Sequence, residues 1–384
     1  MAQMEIDDML RASVKADATD IHLKVGSPPV FRIDGSLVLI KEAPSFTQEG
    51  LERMAFSLMN KWQREKYEKT FEMDLAYDIE GLSRFRFNVF QQQGTIAMAI
   101  RAIPFEILNF SELNLPPILE KISLEERGLI IATGTTSSGK STTLAAIIDY
   151  INSTRARHII TIEDPLEYVH RDKKSIIQQR EVDIDTLSFT NALRSAMRQD
   201  PNVILVGEMR DLETMEIAMA AAETGHLVLT TLHTLDAQET INRILTIFPP
   251  NQHNQIRYQL SQILKAIISQ RLMPISDGKG RVPAVEVLIA TARIRECIAD
   301  PTKTAEIRTA IEEGYLHYGM QTFDQCLFDF YKKGLITYEE VMRQATNKDD
   351  LALKISGITS GADAMAEEID RRGKEKAKHE SLRN

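Results

Sequence analysis

The chain has 384 residues, long enough for two or three domains, and sets 46 Lys and Arg against 55 Asp and Glu for a net charge of −9. Composition is ordinary for a soluble globular protein, no apolar run approaches the ~20 residues of a membrane span, and the acidic balance weighs against a dedicated nucleic-acid binder. The acidic start, Met1-Ala2-Gln3-Met4-Glu5-Ile6-Asp7-Asp8, is unlike a signal peptide, and Cys297 and Cys326 form no C-x-x-C pair, so neither zinc nor a disulfide framework is expected and a cytoplasmic location fits.

Residues 1–102 read as a small mixed domain. Pro29 to Leu37 alternates as a hairpin with Asp34-Gly35 at its turn. Ser83 to Phe90 has period two, with Phe85, Phe87 and Val89 on one face and Arg84 and Arg86 on the other. Gly94 to Arg101 is its expected partner. A Pro-punctuated stretch, 103–117, reads as a linker. A nucleotide domain with a helical C-terminal part follows over 118–357, and the charged tail 358–384 reads as disordered.

Within the nucleotide domain, Gly134-Thr135-Thr136-Ser137-Ser138-Gly139-Lys140-Ser141 fits the phosphate-binding pattern G-x-x-x-x-G-K-[ST]. The apolar run from Arg127 to Thr133 predicts a buried strand before it. Thr142-Thr143-Leu144-Ala145-Ala146-Ile147-Ile148 predicts a helix after it. Glycines let backbone N–H groups close on phosphate oxygens, and the helix N-terminus adds positive charge. Lys140 suits the β- and γ-phosphates, and the Ser141 hydroxyl suits Mg²⁺. ATP and Mg²⁺ are therefore the expected ligands.

Further strands are expected at 158–162, 202–206 and 226–231, alternating with helices around a mainly parallel sheet. The second of these ends in Gly207-Glu208. A carboxylate there suits Mg²⁺, and equally suits a cap on the helix beginning near Asp211. The first ends in Glu163-Asp164-Pro165-Leu166-Glu167, where an acid can orient the attacking water or simply face solvent. His226 and His233 bracket the third. Each fits a γ-phosphate contact or an ordinary polar strand end. Arg84, Arg86 and Arg101 lie outside this domain, either as surface arginines or as charges delivered across an interface to a transition state. Arg194, Arg198 and Arg210 compete for that role.

In order and wording these blocks resemble the secretion ATPases of the type II/type IV pilus class, over about Thr19 to Asp350. Gln179-Arg180-Glu181-Val182 and Gly319-Met320-Gln321-Thr322-Phe323-Asp324-Gln325 resemble the twitching-motility, retraction branch, the PilT/PilU family. The resemblance implies a PAS-like first domain, a RecA-like second domain and a ring of six subunits with ATP at the junctions. It implies Glu163 as the glutamate that activates water, Glu208 as the acid near Mg²⁺, and His233, with His226 beside it, as the phosphate sensor. Arg84, Arg86 and Arg101 fall where that family's first domain supplies arginines. The implied partner is the inner-membrane pilus platform protein at the cytoplasmic face.

Three departures stand out. Thr135 and Ser137 replace the proline and glycine of Gly-Pro-Thr-Gly-Ser-Gly-Lys-Ser. Arg293-Ile294-Arg295-Glu296-Cys297-Ile298 stands where that branch reads Ala-Ile-Arg-Asn-Leu-Ile. The cysteine-bearing zinc loop of the extension ATPases is missing. Retraction by coupled ATP hydrolysis is the leading expectation. An accessory paralogue, an extension or type II secretion ATPase, a nucleic-acid translocase and a non-hydrolysing scaffold ring are the alternatives.

Overall fold

The computed structural model describes residues 6–33, 35–103, 107–278 and 280–357. Asp34 of the expected hairpin turn, Pro104 of the expected linker and the expected disordered tail 358–384 lie outside the described residues. The chain divides into two compact units. The first runs up to Ile107 and takes in Glu167–His170; the second comprises Leu108–Leu166 and the chain from Arg171 on.

The first unit is an antiparallel sheet with helices. Its strands are β1 (Ala18–Lys24), β2 (Val30–Ile33), β3 (Ser36–Leu39), β4 (Glu72–Ile79), β5 (Ser83–Gln92) and β6 (Thr95–Ile103), in the order β3-β2-β1-β6-β5-β4. The expected hairpin forms between β2 and β3, and β6 pairs along the length of β5. The period-two pattern of β5 is fully expressed: Phe85, Phe87 and Val89 are completely buried, while Arg84 and Arg86 take the other face. Each buried Phe contributes roughly 2–3 kcal/mol of hydrophobic stabilisation. Helices Ile6–Lys15 and Gln48–Leu58 supply Met9, Leu10 and Leu51 to the same core. Thr47 caps the second of these through Gly50 N, and Asn60 with Gln63 forms a capping box on helix Lys61–Thr70.

The second unit is built on seven strands: β7 (Gly128–Thr133), β8 (His158–Glu163), β9 (Ile176–Glu181), β10 (Val203–Val206), β11 (Leu227–Leu232), β12 (Leu264–Pro274) and β13 (Arg281–Ile289). Their order is β13-β12-β7-β11-β10-β8-β9. All neighbours are parallel except β12 and β13. Every residue of β7, β10 and β11 is buried, as a sheet covered on both faces requires. The pleat sends Leu129 and Ile131 into one core, with helices Leu212–Glu223 and Ala237–Ile247. Ile130 and Ala132 enter the other, with helix Lys140–Thr154.

Two features depart from the sequence reading. The stretch read as a linker is divided: Ile103 closes β6, while Phe110 and Leu115 are buried in the second unit. The C-terminal part is helical from Ala292 to Ile355, yet β12 and β13 precede it as a long hairpin on the sheet. Buried polar residues on these strands, Ser269, Gln270 and Glu286, interrupt the apolar pattern that would have marked them.

Candidate functional site

The glycine loop joins β7 to helix Lys140–Thr154, the context its pattern requires. Gly134 has φ +142° and Gly139 φ +92°. A Cβ on Gly134 would come within 2.4 Å of the Gln270 carbonyl and 2.5 Å of Ser138 Oγ, so close approach as well as φ demands glycine there. Ser137 also adopts a left-handed conformation, φ +62°. This is the position where the resembling family has glycine, and serine bears the strain here. Gly139 ends the loop without a side-chain cap on the helix, which leaves the first N–H groups available to an anion. Lys140 is buried, and its Nζ donates to the carbonyls of Gly134 and Thr135 at 2.9 Å each. The ammonium is thus held over the loop, where phosphate oxygens can replace those carbonyls.

Sheet order assembles the rest. β7, β11, β10 and β8 are consecutive and parallel, so whatever follows each strand emerges at one end of the sheet. The glycine loop follows β7, His233 follows β11, Glu208 follows β10 after Gly207, and Glu163 ends β8. At about 4.8 Å per strand these span roughly 15 Å. Gly207 ties three of the strand ends together. Its N–H donates to Ile162 O at 2.8 Å, and its carbonyl accepts from Thr231 Oγ1 at 2.6 Å. A Cβ there would lie 3.3 Å from Ile162 O, so glycine lets the chain run tightly beside Glu163.

The Glu208 carboxylate lies 2.7 Å from Arg210 Nη2 and 3.3 Å from His233 Nε2. Burial pushes this carboxyl up. The Arg210 hydrogen bond and the charges of His233 and Arg210 outweigh burial and hold it below the usual range. An acid held in its ionised form is chemically suited to a cation. Among the described residues no cluster of three or more His, Cys, Asp or Glu could hold a metal by itself. Ser141 and Glu208 offer a hydroxyl and a carboxylate, oxygen donors of the kind Mg²⁺ takes when a nucleotide supplies other ligands.

His226 is a correction. It precedes β11, and its carbonyl accepts from Gly128 N at the start of β7. It stands at the opposite end of the sheet, six strand residues or about 20 Å from the loop. Its Nδ1 lies 3.0 Å from the Ala221 carbonyl at the close of helix Leu212–Glu223. Parallel strands put the two brackets of one strand at opposite ends, so His226 and His233 do not share a site in one subunit. Asp211 takes the cap that was one reading of Glu208, accepting from Thr214 N.

Arg84, Arg86 and Arg101 lie together on the polar face of the first unit's sheet. Arg86 and Arg101 are register partners across β5 and β6, and Arg101 in turn faces Asp20 on β1. Each has an acidic partner: Asp78 for Arg84 at 3.1 Å, Asp74 for Arg86 at 3.5 Å and Asp20 for Arg101 at 2.8 Å. Burial pushes the Asp20 carboxyl up, but the Arg101 and Thr19 hydrogen bonds and the charges of Arg101 and Arg32 hold it below its usual range. Gln270 and Glu286 are site neighbours that sequence reasoning missed, because β12 and β13 carry no clean strand signal. Gln270 Nε2 donates to Thr143 Oγ1 at 2.8 Å in the first turn of the loop's helix.

A family model for type II/IV secretion system proteins matches residues 2–344. The Pseudomonas aeruginosa type IV pilus retraction ATPase PilT is 44% identical over 342 residues, covering 89% of this chain and 98% of that one. The type IV pilus ATPase PilU of the same organism is 40% identical over 364 residues, 94% of each chain. A crystal structure of the pilus retraction motor PilT with bound ADP superimposes with a TM-score of 0.83 at 47% identity, covering 90% of this chain and 98% of that one. The chain belongs to the type II/IV secretion system protein family and, within it, to the PilT/PilU group of pilus ATPases.

Proposed function

We propose that the chain is the subunit of a hexameric motor that hydrolyses ATP and spends the cycle withdrawing pilin subunits from a type IV pilus. The observation that carries the reading is the continuous match to a pilus retraction ATPase, which spans the glycine loop, Glu163, Glu208 and His233 alike. Loop amides from Gly134 to Thr142 and the Lys140 ammonium bind the phosphates. Ser141 and Glu208 would hold Mg²⁺, which when bound would supply positive charge to the phosphates. Glu163 takes a proton from the attacking water as its oxygen bonds to the γ-phosphorus and the bond to the β,γ-bridging oxygen breaks, releasing ADP. His233, in contact with Glu208, registers loss of the γ-phosphate. Arg84, Arg86 and Arg101 leave their aspartates to neutralise charge on a nucleotide held by a neighbouring subunit.

Among the described residues no helix is long and apolar enough to cross a membrane. The motor works on the pilus at the cytoplasmic face of the inner membrane, through the pilus platform protein. A second reading, an accessory retraction motor, is favoured by the 94% coverage of both chains in the PilU match. Deleting the gene while imaging pili and surface movement tests the assignment. Retraction predicts retained or increased pili with loss of twitching. An accessory motor predicts retained pili with partial loss, and a bald strain would indicate an extension motor. In vitro, Lys140→Ala should lower Mg²⁺-dependent phosphate release by two to three decades, the effect of losing ~3–4 kcal/mol of transition-state charge contact. Near wild-type turnover by the folded variant would remove the loop from the chemistry.

A further inference from the structure

We propose that Glu286 is a positioning residue for the turn that carries His233, an inference that rests on the ATP-hydrolysing reading above. Glu286 lies on β13, two strands from the glycine loop. Register places Glu286 opposite Ser269 on β12, Ser269 opposite Thr133 on β7, and Thr133 opposite Leu232 on β11. Thr133 is the residue before Gly134, and Leu232 is the residue before His233. One row across the sheet therefore ends in the carboxylate on one side and launches both phosphate-facing segments on the other.

The side chain reaches from that row to the helix after the turn. Glu286 Oε1 accepts from Ala237 N at 2.9 Å, and Ser269 Oγ donates to it at 3.5 Å. Ala237 opens helix Ala237–Ile247, so the carboxylate meets one of the N–H groups a helix start leaves without an internal partner. Besides the His233 contact to Glu208, further bonds tie the turn to its own helix. Thr234 and Thr240 hydroxyls share a bond of 2.6 Å, Leu235 N donates to Glu239 Oε2 at 2.8 Å, and Glu239 N donates to Asp236 Oδ1 at 2.7 Å. Among these bonds, the one to Glu286 joins the turn to the sheet. Glu286 is 6% exposed, and burying a carboxylate is costly unless it makes a bond of this kind. Removing it frees the turn to shift, and with it the His233 contact to Glu208.

The test uses the full chain and two variants. Glu286→Ala removes the acceptor, and Glu286→Gln keeps an oxygen for Ala237 N. We expect Glu286→Ala to fold, to lower kcat for ATP about tenfold or more, and to leave KM within about threefold. Glu286→Gln should recover kcat to within about threefold of wild type. Amide hydrogen exchange over 233–240, measured without nucleotide, should accelerate in Glu286→Ala and return in Glu286→Gln. Unchanged kcat in folded Glu286→Ala, or a loss that Glu286→Gln does not recover, overturns the inference. If wild type itself releases no phosphate, the functional reading fails by that measurement. Exchange then decides the positioning role, and unchanged rates in Glu286→Ala refute it.

Discussion

Single residues already separate chemistry from scaffolding at this site. Glu163 and Glu208 both terminate apolar strands, yet only Glu208 is seen between Arg210 and His233. Glutamine at either position keeps size and removes the charge. Glu163→Gln and Glu208→Gln should each stop steady-state hydrolysis while nucleotide affinity by calorimetry stays within about tenfold, or ~1.4 kcal/mol. Normal turnover by Glu163→Gln would assign the proton transfer to another acid. Ser137 is strained at φ +62°, and glycine has no Cβ to clash in that region. Ser137→Gly should therefore stabilise the protein by roughly 0.5–1 kcal/mol in denaturant unfolding; a loss of stability would mean the serine side chain contributes more than the strain costs. Burial raises the Glu286 carboxyl to about 7, with the Ala237 N–H, Arg271 and Arg308 lowering it and Asp236 raising it. The folded chain thus holds a proton that the unfolded chain releases near 4.5, so this group's contribution to stability is present below that pH and is lost as pH rises through 7. Unfolding at pH 5 and pH 8 should show a difference that Glu286→Gln reduces, by at most roughly 3 kcal/mol. An identical pH dependence in the variant would mean that Glu286 ionises normally.

Among elements, helix Ala292–Ala299 clarifies the departure at 293–298. Its buried face is Ile294, Cys297 and Ile298, which any apolar set of similar size could fill. The two residues that differ in charge from the family wording face outward and are paired: Arg293 with Glu313, and Glu296 with Lys303. These exposed pairs join the helix to the segments after it and, screened by solvent, contribute little to stability. Arg295 is exposed on the same helix. Changing Arg293 to Ala and Glu296 to Asn together should leave thermal stability and phosphate release close to wild type. If the segment tunes coupling, the rate of pilus retraction in complemented cells should change. Equal retraction would show the departure to be neutral. The elements themselves differed in legibility for a physical reason. β5 alternates because one face meets a core and the other does not, and β7 is uniformly apolar because helices cover both faces. β12 and β13 place Ser269, Gln270 and Glu286 in the interior, where Glu286 and Gln270 bond to residues far along the chain, and no local pattern reports such partners.

For the whole molecule, the arginines and the loop lie in different units of one chain. In a ring that delivers arginines between neighbours, an Arg86→Ala subunit still has an intact loop and a Lys140→Ala subunit still has intact arginines. Mixing the two inactive proteins should restore part of the hydrolysis, with a maximum at intermediate ratios, because some junctions then combine both intact parts. Mixed rings verified by mass that stay inactive at all ratios would place the arginines' action elsewhere, with Arg101 the next to be examined.

By itself the sequence determined the nucleotide loop and the strand-ending acids. Each of these is written in a few adjacent residues whose backbone preference is local: glycine where φ is positive, apolar runs where a strand is buried. Family wording then supplied roles for Glu163, Glu208 and His233 that spacing alone left open. Only the tertiary structure decided that β7, β11, β10 and β8 are consecutive, which gathers the loop, His233, Glu208 and Glu163 at one end and leaves His226 at the other. It also gave Glu208 its partners and brought Glu286 from a hairpin fifty residues downstream to the helix after His233. Strand order and buried polar contacts arise from packing between segments distant in the chain, and no short stretch of residues encodes them.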